Sequence, residues 1–110
     1  MDRSILFLGL AILSELIGTS ALKTTAGFER LAPWFTVIIG YGLALVFLAL
    51  SLRTIPLGIA YAVWSGVGTA GIAIIGWLVF KEHLSVLAIV GLTLIIGGIV
   101  TLHLSGFGRP

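Results

Sequence analysis

An all-α membrane protein of four transmembrane helices, assembled as an antiparallel homodimer, is the fold class that this sequence predicts. Three observations predict it. Of its 110 residues, 59% are hydrophobic and 9% charged, against roughly 45–50% and about 25% in soluble domains. The apolar residues fall into four runs, Ser4 to Leu22, Leu31 to Leu52, Thr54 to Phe80 and Leu84 to Gly108. Each is close to or above the roughly 20 residues that cross a hydrocarbon core at about 1.5 Å per residue. Lysine and arginine, finally, are balanced between the two sides that four spans define.

The first span is expected over about residues 4–22. A charged start before an apolar run is also the pattern of a secretory signal, but this run exceeds the roughly 7–15 residues of a signal core, contains Glu15 and leads into three more apolar runs. The second span is expected over about 31–52, with Pro33 near its start, and the third over about 56–80, opened by Pro56. Proline suits the first helical turn, where its missing amide hydrogen has no intrahelical acceptor. The fourth is expected over about 85–104. Short links between the runs imply adjacent, antiparallel helices, and residues 1–110 read as a single four-helix transmembrane domain. Trp34 and Phe35 near one end of the second run, and Trp77 and Phe80 near the end of the third, fit the aromatic belt at a membrane interface.

With four spans, Arg3, Arg53 and Arg109 share one side while Lys23, Arg30 and Lys81 share the other. Orientation normally follows an excess of lysine and arginine on the cytoplasmic side. Here no excess exists, so the chain is expected to insert both ways. Many transporters place a site between two inverted repeats, and no internal repeat is visible in this chain. Two copies of opposite orientation would supply one.

All charged residues lie between or outside the spans except Glu15. An ionised carboxylate at mid-membrane costs on the order of 2.5–3.5 kcal/mol on insertion scales, and no span carries a basic residue to pair with it. Two readings fit: a protonated acid hydrogen-bonded to a neighbouring helix, or a site whose cation comes from outside. On a helix Ala11, Gly18 and Thr19 share the acid's face, which leaves space beside it. Tyr61 and Trp64, three apart, share a face of the third span, and Tyr41 stands between two glycines in the second. Such aromatics pack cores, yet beside a buried acid their faces also attract organic cations. Gly66 and Gly68 read either as a hinge in the third span or as a small-residue packing surface. Gly91 and Gly98, two turns apart, suit close packing between subunits.

These residues resemble the small multidrug resistance family through Ser14-Glu15-Leu16-Ile17-Gly18-Thr19, Gly27-Phe28, the segment PLGIAYAVWSGVG from Pro56 to Gly68, and Gly91 to Gly98. The resemblance covers essentially the whole chain. It implies a multi-pass protein of the plasma or inner cell membrane, a proton-coupled exporter in which Glu15 binds both proton and substrate. Tyr41, Tyr61 and Trp64 would line the pocket, joined on the first helix by Ala11, Ile12, Gly18 and Thr19. One branch of the family exports quaternary ammonium and polyaromatic cations; the other exports guanidinium and usually carries tryptophan at the position of Gly18. Gly18 and Tyr41 favour the first branch. Ile5 stands where that branch often has an aromatic, and His103 near the end of the last span has no assigned part.

The expected partners are therefore organic cations, protons, the lipid bilayer and a second copy. No cofactor or metal is expected. Cysteine is absent, and the net charge of +2 is too small and dispersed for nucleic acid. An enzyme is not expected, because the one intramembrane acid has no nucleophile, metal cluster or phosphate loop beside it. The alternatives are a guanidinium exporter of the same family and a non-transporting small subunit of a larger membrane complex.

Overall fold

The computed structural model describes residues 3–108. Asp2 and Arg109, the latter counted in the charge balance, lie outside the described residues. Four helices follow one another: α1 (Arg3–Thr24), α2 (Pro33–Ser51), α3 (Leu57–Leu78) and α4 (Val86–Leu104). All four are long and apolar enough to cross a membrane, so the chain is a multi-pass membrane protein. The chain divides between Thr54 and Ile55 into two compact units, one holding the α1–α2 hairpin and the other the α3–α4 hairpin.

The helix ends depart from the sequence expectation by one or two residues, each for a local reason. Pro33 is the first residue of α2, as expected, whereas Pro56 is the N-cap of α3 and has not entered the helix, with ψ at 143°. At the other end α3 stops at Leu78, short of Phe80, and Lys81 then adopts a left-handed backbone with φ at 58°. The Ser85 hydroxyl caps α4 by accepting the Ala88 amide hydrogen at 3.1 Å, which supplies one of the acceptors that the first helical turn lacks. Hydroxyls inside the spans are satisfied locally: Ser20, Ser65, Thr69, Thr93 and Thr101 each donate to a carbonyl one turn back.

Within the first unit, the buried positions of α1 include Ser4, Leu8, Ala11 and Gly18, and those of α2 are Val37, Gly40, Ala44 and Ser51. Apart from Leu8, Ile12 and Val37 the buried positions carry small residues, which bring helix axes close where lipid gives no hydrophobic drive for association. The closest approach is at Gly40. A Cβ there would lie 2.9 Å from Gly18 Cα and 2.9 Å from the Ser14 carbonyl oxygen, so backbone meets backbone. At the open end of the hairpin Thr54 Oγ1 donates to Ser4 Oγ at 2.5 Å, and Phe7 stacks on Phe47 with ring centroids 6.2 Å apart. At the closed end Ala26 and Gly27 take positive φ, and Phe28 stacks on Trp34, whose indole donates to the Gly27 carbonyl at 3.1 Å. Trp34 thus ties down its loop as well as standing at the end of a span.

The second unit packs differently. Here α3 and α4 meet through side chains: Ile95 and Ile99 lie over Gly66, where a Cβ would come within 2.2 Å of Ile99 Cδ1. After α4 the chain turns at Gly106 and Gly108, both with positive φ, and lays the Phe107 ring on Gly58.

Candidate functional site

Glu15 sits half-buried in α1, and the structure gives it two partners in sequence. Thr19, one turn on, donates from Oγ1 to Glu15 Oε1 at 2.5 Å. The same Thr19 Oγ1 lies 2.6 Å from the Tyr41 hydroxyl. A hydroxyl has one hydrogen, so with Thr19 donating to the carboxylate, Tyr41 must donate to Thr19. The result is a directed chain from Tyr41 through Thr19 to Glu15. When the carboxyl carries a proton it becomes a donor itself, and the chain can run in the opposite sense without any heavy atom moving.

Tyr41 packs against Gly18. The Tyr41 ring lies over Gly18, where a Cβ would stand 3.4 Å from Tyr41 Cδ1, and the adjacent Gly40 holds α2 against α1. Gly18, Thr19, Glu15 and Tyr41 are therefore brought together within the first unit. Ala11 and Ile12 are buried, Ala11 completely.

In the second unit Tyr61 and Trp64 share a face of α3, with ring centroids 5.8 Å apart and planes inclined at 52°. Tyr61 is 58% exposed. Trp64 Nε1 is buried with no hydrogen-bond partner among the described residues. An unmet buried donor costs about 1–3 kcal/mol. Gly66 and Gly68 are buried in an uninterrupted α3, and the flanking Ser65 and Thr69 donate to the carbonyls of Tyr61 and Ser65 one turn back. Gly91 and Gly98 face open space, with no atom within 4 Å of an added Cβ, and α4 has no buried residue. Among the described residues no group of three or more histidines or acids is placed to hold a metal ion.

The link from Thr19 to Glu15 was legible as a spacing of four on one helix. Two contributions were not: the Tyr41 hydroxyl as the third member of the chain, and Gly40 as the contact that sets the distance between the helices.

Comparison with known proteins agrees in one direction. A family model described as Small Multidrug Resistance protein matches residues 3–95. The chain is 52% identical over 99 residues to the quaternary ammonium compound-resistance protein QacE of Escherichia coli, covering 90% of each chain. It is 50% identical over 103 residues to the multidrug resistance protein EbrB of Bacillus subtilis (strain 168), covering 94% of this chain and 88% of the relative. Over 91 residues it is 54% identical to a putative ethidium bromide resistance protein of Escherichia coli, covering 83% of this chain and 79% of the other.

Proposed function

Because the chain belongs to the Small Multidrug Resistance family, we propose that it is a multidrug efflux protein, a proton-coupled antiporter that exports hydrophobic and quaternary ammonium cations as an antiparallel homodimer. The observation that carries this reading is Glu15: one carboxylate midway along a membrane span, bonded by the hydroxyl of Thr19, while the basic residues of its own helix, Arg3 and Lys23, stand at the two ends. Relatives named for resistance to quaternary ammonium compounds and to ethidium support the substrate class. Gly18 supports it too, since a tryptophan at that position would need the space that the Tyr41 ring occupies.

The proposed cycle follows from one acid serving two ligands. A quaternary ammonium group has no hydrogen to donate, so its charge is met by the carboxylate and by the aromatic faces of Tyr41, Tyr61 and Trp64. As the cation enters, the Glu15 proton leaves to water; as the cation departs, a proton returns to the same oxygen. Bending of α3 at Gly66 and Gly68 would open the site to each side in turn. Packing through Gly91 and Gly98 would join two copies of opposite orientation, consistent with the balanced loop charges. When the empty, ionised carrier switches sides slowly, inward proton movement drives outward cation movement.

Proton release on adding tetraphenylphosphonium to weakly buffered, detergent-solubilised protein tests the shared site. Wild type releases protons and Glu15→Gln, which keeps the shape and removes the exchangeable proton, releases none while retaining its helical content. Equal release from both proteins would overturn the mechanism.

A further inference from the structure

Two cavities of the second unit meet at Leu84. One, of about 480 Å³, lies in the α3–α4 connection and is lined by Trp77, Lys81, Glu82, His83 and Leu84. The other, of about 560 Å³, is an apolar groove between the two helices, lined by Ala70 and Ile74 on α3, Leu84, and Ile89, Thr93 and Gly97 among others on α4. Its hydroxyl is occupied: Thr93 donates to the Ile89 carbonyl at 2.8 Å. From Ile89 to Gly97 the groove descends about 12 Å at 1.5 Å per residue, close to the roughly 15 Å depth of one leaflet of a 30 Å core. A charged pocket at the membrane boundary thus opens into an apolar channel one leaflet deep.

We propose that this is a binding site for a zwitterionic aminophospholipid, with its headgroup in the polar pocket and one acyl chain along the α3–α4 groove. The pocket charges choose the headgroup. Lys81 supplies an ammonium and His83 a ring donor for a phosphate, while Glu82 supplies a carboxylate for a primary ammonium. Glu82 is held in place from two directions: its backbone N–H donates to the Gly76 carbonyl at 2.9 Å, and its Oε1 lies over Gly76 where a Cβ would be 2.3 Å away. An anionic phospholipid would answer Lys81 but bring a second negative charge towards Glu82. A phosphatidylcholine would answer both charges but offer Glu82 no hydrogen. Trp77, at the end of α3, is the amphipathic side chain expected at headgroup level.

A second copy does not take this groove if the subunits pack through Gly91 and Gly98. At about 100° per residue, Ile89, Thr93 and Gly97 lie on one side of α4 while Gly91 and Gly98 lie on the opposite side. Ile95 and Ile99, which contact Gly66, fall between them. Ile74 and Ile89 are each 48% exposed, and lipid is the solvent that meets them.

The test uses the full chain, purified in detergent and stripped of lipid, then titrated with phosphatidylethanolamine, phosphatidylcholine or phosphatidylglycerol of identical acyl chains and read by native mass spectrometry. Phosphatidylethanolamine adducts should exceed those of phosphatidylcholine by about threefold, the ratio expected of one partly exposed hydrogen bond, and those of phosphatidylglycerol by about threefold, the ratio expected of one partly exposed ion pair. Glu82→Gln should erase the preference over phosphatidylcholine, and Lys81→Gln should lower adducts of all three. Gly97→Leu, which fills the groove, should do the same, with tetraphenylphosphonium binding retained as the measure of intact folding. Equal adducts in the wild type, a preference for phosphatidylglycerol, or a preference that survives Glu82→Gln would each overturn the proposal, and the wild-type ranking decides even if a variant fails to fold.

Discussion

Gly40→Ala puts a single methyl group where the first hairpin has no room for it. The nearest atoms to the new carbon would be Gly18 Cα and Ser14 O, both at 2.9 Å, and Gly18 N at 3.0 Å. All three are backbone, so no side chain can swing aside. Carbon atoms rest about 3.5–4.0 Å apart, and α2 must therefore retreat from α1 by roughly 0.6–1 Å, a gap at which neighbouring contacts lose about a quarter to a half of their attraction. Overpacking of this kind costs about 1–3 kcal/mol. Tyr41 is the next residue, and its 2.6 Å contact with Thr19 would lengthen by a similar amount, uncoupling it from Glu15. Gly42→Ala is the matched control, since nothing lies within 4 Å of a Cβ there and alanine is favoured over glycine in helices by about 0.8–1.0 kcal/mol in water. In detergent, Gly40→Ala should melt several degrees below wild type and bind tetraphenylphosphonium more weakly, while Gly42→Ala should melt at or above wild type with unchanged binding. Coincident melting curves for the two variants would refute the reasoning.

Three further outcomes follow from the geometry. Thr19→Val keeps the shape and removes the hydroxyl that donates to Glu15; a hydrogen bond to a charged group is worth about 1.5 kcal/mol or more, so tetraphenylphosphonium affinity by calorimetry should fall about tenfold, and Thr19→Ser should restore it. Gly66→Ala should destabilise the protein through the clash with Ile99, and Ile99→Ala should rescue it in the double variant; failure of rescue would show that Gly66 acts through the bending of α3 instead. Gly91→Ala meets no atom of its own chain, so the melting of the monomer should be unchanged while the dimer fraction on cross-linking falls.

The four spans were legible because each run of apolar residues is long enough to cross a bilayer and is bounded by charge or proline. Their ends were less so. The first helix continues through Lys23 and Thr24, because the Thr24 hydroxyl bonds the Ala21 carbonyl and a lysine at a membrane boundary can extend to water. Glu15 was legible for the opposite reason, as the one charge that its surroundings do not excuse. The partnership with Tyr41 was not, because it depends on the register of α2 against α1, and that register is set by which glycine is pressed into the contact. Gly40 and Gly42 flank Tyr41 symmetrically in sequence. Only the fold distinguishes the one that meets backbone from the one that faces open space. Gly66 shows the same limit: hinge and packing make the same demand for a missing side chain, and the structure adds the Ile95 and Ile99 contact without removing either role.

The two hairpins answer one physical problem in different ways. Between helices in lipid the hydrophobic effect offers nothing, so association depends on close packing and hydrogen bonds. The hairpin that carries Glu15 uses both: Gly18 against Gly40 brings backbones into contact, Thr54 bonds Ser4 across its open end, and the short bonds among Tyr41, Thr19 and Glu15 lie between. The 2.6 Å contact between Tyr41 and Thr19 crosses from one helix to the other, and a parting of the helices by about 1 Å would carry it beyond hydrogen-bond length. The α3–α4 hairpin is joined by the flexible ends of isoleucines and leaves a groove of about 560 Å³ beside them. Side-chain contacts of that kind can be exchanged for others at little cost, whereas glycine backbones in contact have no alternative arrangement nearby. Backbone contact and side-chain contact are therefore divided between the two halves of a 110-residue chain, and glycines that look alike in its sequence differ in which kind of contact they make.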